Sequence, residues 1–475
     1  MKTFILRPAP RLTSRWSVSS VELGPRVISS WNARQRIEGQ SRIVIGPRSA
    51  VFAPVSDPGI IIVDEEHDPS YKQVDVPPRY HARDAAVYRG HLLGIPVVLG
   101  SATPSMESWH NVAAGKYRLA GLPDRIERRP LPSIVTVDMR EERKAGNLSS
   151  LSRTLRSELE GRIERGEKSI VLINRRGFAS SVHCQACGYV LTCPDCAVGL
   201  TYHASKGLAV CHLCGHSQIV LEHCPECGEN RLRYRGMGTQ KIEGELQKIA
   251  GEDAVVRMDS DTTAAHEGHF RLLEEFRSGD GSILLGTQMV AKGLDFPEVT
   301  LVGIVSADLA LYLPDFRAFE RTFQLITQVA GRAGRGHIPG TVVLQTFNPD
   351  NHAIVSAARQ DFSAFAETEL EARRELGFPP FSRLILIELS SEVLATLTTV
   401  AGDIARYLAA NLPSEVEVMG PVDAPIARKR GRHRLHILIK APNPGHLKNF
   451  IRNVIETFAT GKEDITVDVD PMDLM

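Results

Sequence analysis

All eight cysteines of this 475-residue chain fall between Cys184 and Cys227. They form four pairs of one spacing: Cys184 and Cys187, Cys193 and Cys196, Cys211 and Cys214, Cys224 and Cys227. Each C-x-x-C lets two thiolates reach one tetrahedral Zn²⁺, so eight thiolates make two Cys₄ sites. Knuckle-type neighbours accompany them: Gly188, Pro194, Gly215, Pro225 and Gly228. A full Cys₄ shell leaves no open position, so both metals are expected to be structural, supplying folding energy of about 10–16 kcal/mol per site on the scale of small zinc peptides. A disulfide framework is disfavoured, because the sequence shows no secretory signal or transmembrane run.

Carboxylates mark a second centre. The apolar run Gly59–Val63 ends in Asp64-Glu65-Glu66-His67. P-loop ATPases present their metal site in this way: the first carboxylate holds Mg²⁺ and the second polarises the attacking water. An acidic loop after a strand is the alternative, and the next strand decides between them. Ile95–Leu99 runs into Gly100-Ser101-Ala102-Thr103-Pro104. A D-E-x-H strand end followed by an S-A-T strand end resembles motifs II and III of superfamily 2 helicases.

The resemblance continues beyond the cysteines. Gly286-Thr287-Gln288-Met289 with Lys292-Gly293-Leu294-Asp295-Phe296 resembles motif V, and Gln328-Val329-Ala330-Gly331-Arg332-Ala333-Gly334-Arg335 resembles motif VI. Arg332 and Arg335, three apart, are expected on one helix face, reaching a nucleotide phosphate as an arginine finger does. A solvated basic helix is the alternative.

The elements that must hold these residues follow from the pattern. Ile43–Ile45 reads as a short strand, and Gly59–Val63 as a parallel strand buried on both faces. Alternating strand and helix signals across 43–120 and 165–350 predict an α/β chain with two RecA-like lobes of mostly parallel sheet. The expected division is a partial first lobe at 1–140, a second lobe at 141–180 and 231–375, a zinc-binding insertion at 181–230 and a C-terminal α+β domain at 376–475. In that last domain, strands at Leu384–Leu389, Val416–Met419, Leu435–Ile439 and Ile465–Val469 alternate with two helices. One helix carries Val393, Leu397, Val400, Ile404 and Leu408 on one face, and the other spans Leu447–Phe458. This βαββαβ order predicts a ferredoxin-like module. Residues 1–40 show no period. With 56 basic and 56 acidic residues, the whole chain lacks a nucleic-acid-like excess, so DNA contact must use local patches.

A superfamily 2 motor interrupted by eight paired cysteines resembles the PriA family, the bacterial replication restart helicases also called primosomal protein N′. Gly46–Ala50, Tyr71-Lys72-Gln73, Arg79–Asp84 and Glu375–Arg383 match as well. The resemblance implies an ATP-dependent 3′-to-5′ DNA helicase acting at stalled forks and in primosome assembly. Its partners would be forked DNA and single-stranded/double-stranded junctions, primosome proteins and single-stranded DNA-binding protein, with no membrane. Its location would be the cytoplasm, at the bacterial nucleoid. It implies two Zn²⁺, with nested pairs: Cys184, Cys187, Cys224 and Cys227 on one ion, Cys193, Cys196, Cys211 and Cys214 on the other. It implies ATP with Mg²⁺, with Asp64, Glu65, Arg332 and Arg335 catalytic and Ser101, Thr103, Gly293, Asp295 and Gln328 at the nucleotide. DNA contacts would come from Arg48, Tyr71, Lys72, Arg79, Tyr80 and Arg83, and from the basic cluster Arg428, Lys429, Arg430, Arg432 and Arg434. For both groups an ordinary surface loop or solvated charge run is the alternative.

One element of the pattern is missing. No G-x-x-x-x-G-K-[ST] lies upstream of Asp64. Gly161 to Ser169 comes nearest, but has an extra residue before its lysine and a strand where a helix should begin. The chain is therefore expected to be a family member lacking its N-terminal part, with doubtful ATPase. The competing reading is a non-catalytic DNA- and primosome-binding zinc protein. A zinc-ribbon protein of transcription or RNA processing would not explain Gln328 to Arg335.

Overall fold

In the computed structural model, residues 2–7, 43–122, 130–173, 181–203, 207–230, 232–233, 239–258, 266–279, 281–287 and 296–474 are described. The chain divides into two compact units, 1–125 and 126–475.

The first unit holds β1 (Lys2–Arg7), β2 (Ile61–Asp64), α1 (Ala82–Leu93), β3 (Val97–Ser101), α2 (Met106–Ala113) and β4 (Arg118–Leu122). Its sheet runs β2-β3-β1-β4. β2 and β3 are parallel, in register Val63 with Leu99 and Asp64 with Gly100. β1 is antiparallel to both β3 and β4, so the sheet is mixed rather than mostly parallel. Val63, Ala86, Val97 and Leu99 form its core. Gly90 lets α1 lie directly on Val97, whose methyl a Cβ would overlap.

Two expectations change here, and one strand was unforeseen. Ile43–Ile45 is not a strand; it is irregular, with Ile43 and Ile45 exposed. β2 is buried on one face only, since Val63 points inward while Ile62 is 64% exposed. β1 was not legible in the sequence, because Pro8 and Pro10 directly after it obscure any period.

The second unit is built on a six-stranded, wholly parallel sheet. Its strands are β5 (Ser133–Asp138), β6 (Lys168–Ile173), β12 (Val255–Met258), β13 (Ile283–Gly286), β14 (Val299–Val305) and β15 (Thr341–Thr346), in order β12-β13-β6-β14-β15-β5. All seven residues of β14 are buried, as a central parallel strand covered on both faces requires. β5 pairs with β15 along its whole length, so 133–138 goes with this sheet and the expected lobe boundary at 140 falls too late. Helices α3 (Met139–Lys144), α4 (Arg153–Glu164), α5 (Thr239–Ala250), α6 (His266–Ser278), α7 (Asp308–Leu311) and α8 (Ala318–Ala330) accompany the strands. The cysteine module, with short strands β7 (His183–Cys184), β8 (Thr201–His203), β9 (Leu208–Val210), β10 (Ser217–Ile219) and β11 (Leu232–Arg233), is inserted between β6 and α5. β7 and β11 pair at its neck, Cys184 opposite Leu232.

α9 (His352–Arg359) and α10 (Phe362–Glu375) lead to the last domain. There β16 (Arg383–Ser391), β17 (Glu417–Lys429), β18 (Arg432–Ala441) and β19 (Asp464–Val469) form an antiparallel sheet in order β17-β18-β16-β19, with α11 (Leu394–Asn411) and α12 (Leu447–Phe458). This is the ferredoxin-like order. On α11, Leu397, Val400, Ile404 and Leu408 are buried, whereas Val393 is the N-cap and exposed. β16 is apolar on both faces: Ile385, Ile387 and Leu389 pack against the helices, while Leu384 and Leu386 join the core of the cysteine module.

Candidate functional site

Each cysteine pair sits on a tight knuckle. The residue after the second cysteine takes a left-handed conformation and donates its N–H to the first cysteine's carbonyl. Gly188 (φ +78°), Gly215 (φ +83°) and Gly228 (φ +74°) bond Cys184, Cys211 and Cys224 at 3.0, 3.0 and 2.9 Å. Ala197 does the same to Cys193 at 3.0 Å with φ +55°, where a side chain is disfavoured.

The knuckles bring the thiols together as nested pairs: Cys184, Cys187, Cys224 and Cys227 in one cluster, Cys193, Cys196, Cys211 and Cys214 in the other, sulfurs within 4.8 Å of one another. The Sγ separations of Cys184–Cys227, Cys187–Cys224 and Cys193–Cys214 are 3.7, 3.6 and 3.6 Å. A zinc–sulfur bond of about 2.3 Å requires tetrahedral edges of about 3.8 Å, so the donor sets fit zinc. Within the clusters the thiols split: burial pushes the Cys193 thiol up to about 12 and Cys187 higher still, whereas the hydrogen bond from Cys196 pulls Cys211 down to about 5.

The carboxylate loop lies at the C-terminal ends of β2 and β3. Asp64 is exposed there, and Glu65 follows at φ +49°. His67 Nδ1 and Ser101 Oγ share a hydrogen bond of 2.7 Å, joining the two strand ends, and Ser101 Oγ also accepts the Thr103 N–H at 3.0 Å. Ser101 and Thr103 are buried, positioning the loop rather than facing a ligand. The residue that holds this corner is Glu66, which sequence reasoning passed over. It is fully buried, accepting from Ser105 N (2.6 Å), Ser105 Oγ (3.1 Å), Ser108 Oγ (2.9 Å) and Arg83 Nη1 (3.2 Å). The available signal was Ser105 at the N-cap of α2, whose Oγ accepts from Ser108 N.

The expected DNA residues divide. Arg83 is buried; its guanidinium serves Glu66, Asp84 and Ser105, and although burial opposes its charge, Asp84, Glu66 and Glu107 hold it ionised. Lys72 is buried as well. Neither is presented to a phosphate, because both side chains are buried, and the 72–81 loop closes by a bridge between Lys72 and His81. Arg48 spans to the carbonyls of Ser70 and Lys72, and the Tyr71 hydroxyl donates to the Asp64 carbonyl at 2.6 Å. Arg79 and Tyr80 remain half-exposed, Tyr80 edge-on to Phe52. In the C-terminal domain Arg428, Lys429 and Arg430 are exposed at the β17–β18 turn, made by Arg430 (φ +51°) and Gly431 (φ +83°). Arg432 and Arg434 are instead engaged with Asp464 and Glu388.

Gln328 lies on α8, which ends at Ala330 with Gly331 as its cap. Arg332 and Arg335 therefore stand in the turns after the helix and not on its face; Arg335 Nε donates back to the Gly331 carbonyl at 3.0 Å. Gly334 (φ +67°) supplies the break, packed so tightly on Gly340 that a Cβ would overlap it. Gly293 and Asp295 lie outside the described residues.

A wholly parallel six-stranded lobe interrupted by two Cys₄ clusters defines the fold class: a RecA-like lobe with an inserted cysteine module of the metal-binding type. Family models agree. "Helicase conserved C-terminal domain" matches 236–337, "PriA DNA helicase Cys-rich region (CRR) domain" matches 193–218, and "Primosomal protein N C-terminal domain" matches 374–472. Replication restart protein PriA of Bacillus subtilis is 44% identical over 438 residues, 91% of this chain and 54% of that protein. The Synechocystis protein of the same name is 41% identical over 454 residues, 93% and 54%. That of Chlamydia pneumoniae is 48% identical over 355 residues, 74% and 47%. The chain belongs to the PriA replication restart family, and it spans about half the length of the curated relatives it matches.

Proposed function

We propose that this chain serves an ATP-dependent 3′-to-5′ DNA helicase that remodels stalled replication forks and assembles a primosome, with primosome proteins and single-stranded DNA-binding protein as partners and the bacterial cytoplasm, at the nucleoid, as its location. The observation that carries the reading is the His67–Ser101 hydrogen bond, which ties the two motif-bearing strand ends together. It joins the carboxylate loop to the neighbouring strand end, the two segments that resemble motifs II and III. Among the described residues no helix is long and apolar enough to cross a membrane.

In this reading the two cysteine clusters each hold one Zn²⁺. Asp64, an exposed carboxylate, supplies a hard oxygen donor for Mg²⁺, which would neutralise phosphate charge when bound with ATP. Glu65 orients the attacking water, Gln328, Gly293 and Asp295 serve nucleotide binding, and Arg332 and Arg335 stabilise charge developing on its phosphates. Arg79, Tyr80 and the Arg428–Arg430 turn contact the DNA backbone.

The second reading, a DNA- and primosome-binding zinc protein without turnover, is favoured by one observation: these 475 residues contain no G-x-x-x-x-G-K-[ST]. ATP hydrolysis by the purified chain, with and without forked DNA and beside Glu65→Gln, separates the two. DNA-stimulated turnover abolished by the substitution supports the motor. Fork binding with no turnover supports the second reading.

A further inference from the structure

The two Cys₄ clusters have different surroundings. In the cluster of Cys193, Cys196, Cys211 and Cys214, three ligands are buried and the fourth is half-buried. Its knuckles are covered by the rest of the unit. Gly199 lies so close to the Tyr312 carbonyl that a Cβ would overlap it, and a Cβ on Gly215 would meet Val422 at 2.8 Å. Beside these contacts His212 Nδ1 donates to the Asp423 carbonyl at 2.6 Å.

Among the described residues the other cluster is covered on one side only. Gly188 abuts Phe347, where a Cβ would come within 2.6 Å, and Asn348 Nδ2 reaches the Gly188 carbonyl at 3.4 Å. Among the described residues nothing covers the opposite knuckle. From Pro225 to Asn230 every residue is exposed, Cys227 included, and nothing stands within 4 Å of a Cβ on Gly228.

We propose that Cys227 is an oxidant-reactive thiolate and that its cluster is a releasable zinc site, while the covered cluster is a permanent one. The inference rests on both clusters holding zinc. Reactivity of a metal-bound thiolate toward an electrophile follows its accessibility, and Cys227 is the exposed ligand among the eight. The oxidant is a peroxide. The Cys227 sulfur attacks one peroxide oxygen, the O–O bond breaks, and hydroxide leaves, giving a sulfenic acid. The Cys184 thiolate, its sulfur 3.7 Å away, then attacks that sulfur, forming the disulfide and releasing a second hydroxide. Two thiolates are oxidised by two electrons and hydrogen peroxide is reduced to two hydroxides. The remaining pair, Cys187 and Cys224, is two ligands short of a shell, and the metal leaves. Because Cys184 also belongs to β7, the released site is the one that closes the neck of the insertion against β11.

The test uses the whole zinc-loaded chain and reads no activity. Metal content is measured first, and a starting value other than two zincs per chain refutes the metal reading itself. Hydrogen peroxide is then added with a chromogenic zinc indicator, and disulfides are mapped by mass spectrometry. The expected result is one zinc released at least about ten-fold faster than the other, with a Cys184–Cys227 disulfide in the fast phase. Equal release rates, or first modification within Cys193–Cys214, would overturn the proposal. Val422→Ala, which uncovers the Gly215 knuckle while leaving its backbone unchanged, should speed release of the slow zinc. An unchanged slow phase in that variant would remove cover as the cause of the difference.

Discussion

At the scale of single residues, the most informative side chains are those whose environment contradicts their ordinary role. Arg83, a charged residue within a basic and aromatic stretch, is the partner of buried Glu66. Removing one member of a buried pair strands the other, at a cost of about 3–5 kcal/mol. Arg83→Ala should therefore lower stability by that order in chemical denaturation, while Arg79→Ala should leave stability unchanged and weaken fork binding in a salt-dependent way. Equal stability losses for the two would contradict this division. His81 makes a pH prediction. Neither ring nitrogen has a hydrogen-bond partner among the described residues, and burial, aided by the Arg83 charge, pushes its pKa down to about 3. The folded loop thus keeps a neutral imidazole while the unfolded chain takes up a proton below about pH 6.5. The unfolded state binds more protons between those values, so stability is full above about 6.5 and falls as pH drops toward 3. Limited proteolysis of the 72–81 loop should accelerate between pH 7 and 5, and His81→Phe should flatten that dependence.

At the scale of elements, the knuckle is the unit that repeats, and its four copies are not equal. Three end in glycine at positive φ; the fourth uses Ala197 at φ +55°. Ala197→Gly relieves the strained conformation but loosens the unfolded chain, so the two effects oppose and the expected change in stability lies within about 1 kcal/mol. Gly188→Ala has no such balance, because its Cβ would press on Phe347, and it should lower the thermal midpoint markedly. The contrast explains what the sequence disclosed. Cysteine spacing is a local property, and so is the apolar run of β14, so metal clusters and parallel strands were legible. The ends of elements were not. α8 stops at Ala330 because Gly331 and Gly334 turn the chain, a tertiary fit against Gly340 that no periodicity announces, and this moves Arg332 and Arg335 off the helix. Likewise the burial of Arg83 depends on Glu66 and Ser105, which meet only when β2 and β3 pair. The antiparallel β1 was hidden for the same reason, since its partners lie ninety or more residues away in β3 and β4.

At the scale of the whole second unit, the cysteine module and the C-terminal domain share one core. Val182, Leu200 and Leu213 of the module lie in the same buried cluster as Phe378, Leu384, Leu386, Met419, Leu438 and Leu474. Phe316, just before α8, stacks on Phe378 with ring centroids 4.8 Å apart, and Arg317 reaches the Pro471 carbonyl at 3.1 Å. The sheet of the C-terminal domain is therefore covered by its own helices on one face and by the cysteine module on the other. A module held together by metal would lose its fold when stripped, since its short strands cannot offset the conformational entropy of ordering them. The exposed face of β16 and β18 would then be left wet. Stripping zinc with a strong chelator should raise amide exchange at Leu384, Leu386 and Leu438 as well as within 184–227, while Val171 and Leu285 in the parallel sheet keep their protection. Leu386→Ala should reproduce part of that effect with metal present, costing roughly 2–5 kcal/mol. If exchange in β16 and β18 stayed unchanged after both zincs had left, the two modules would be separate folding units that merely touch, and the shared core would contribute nothing to the stability of either.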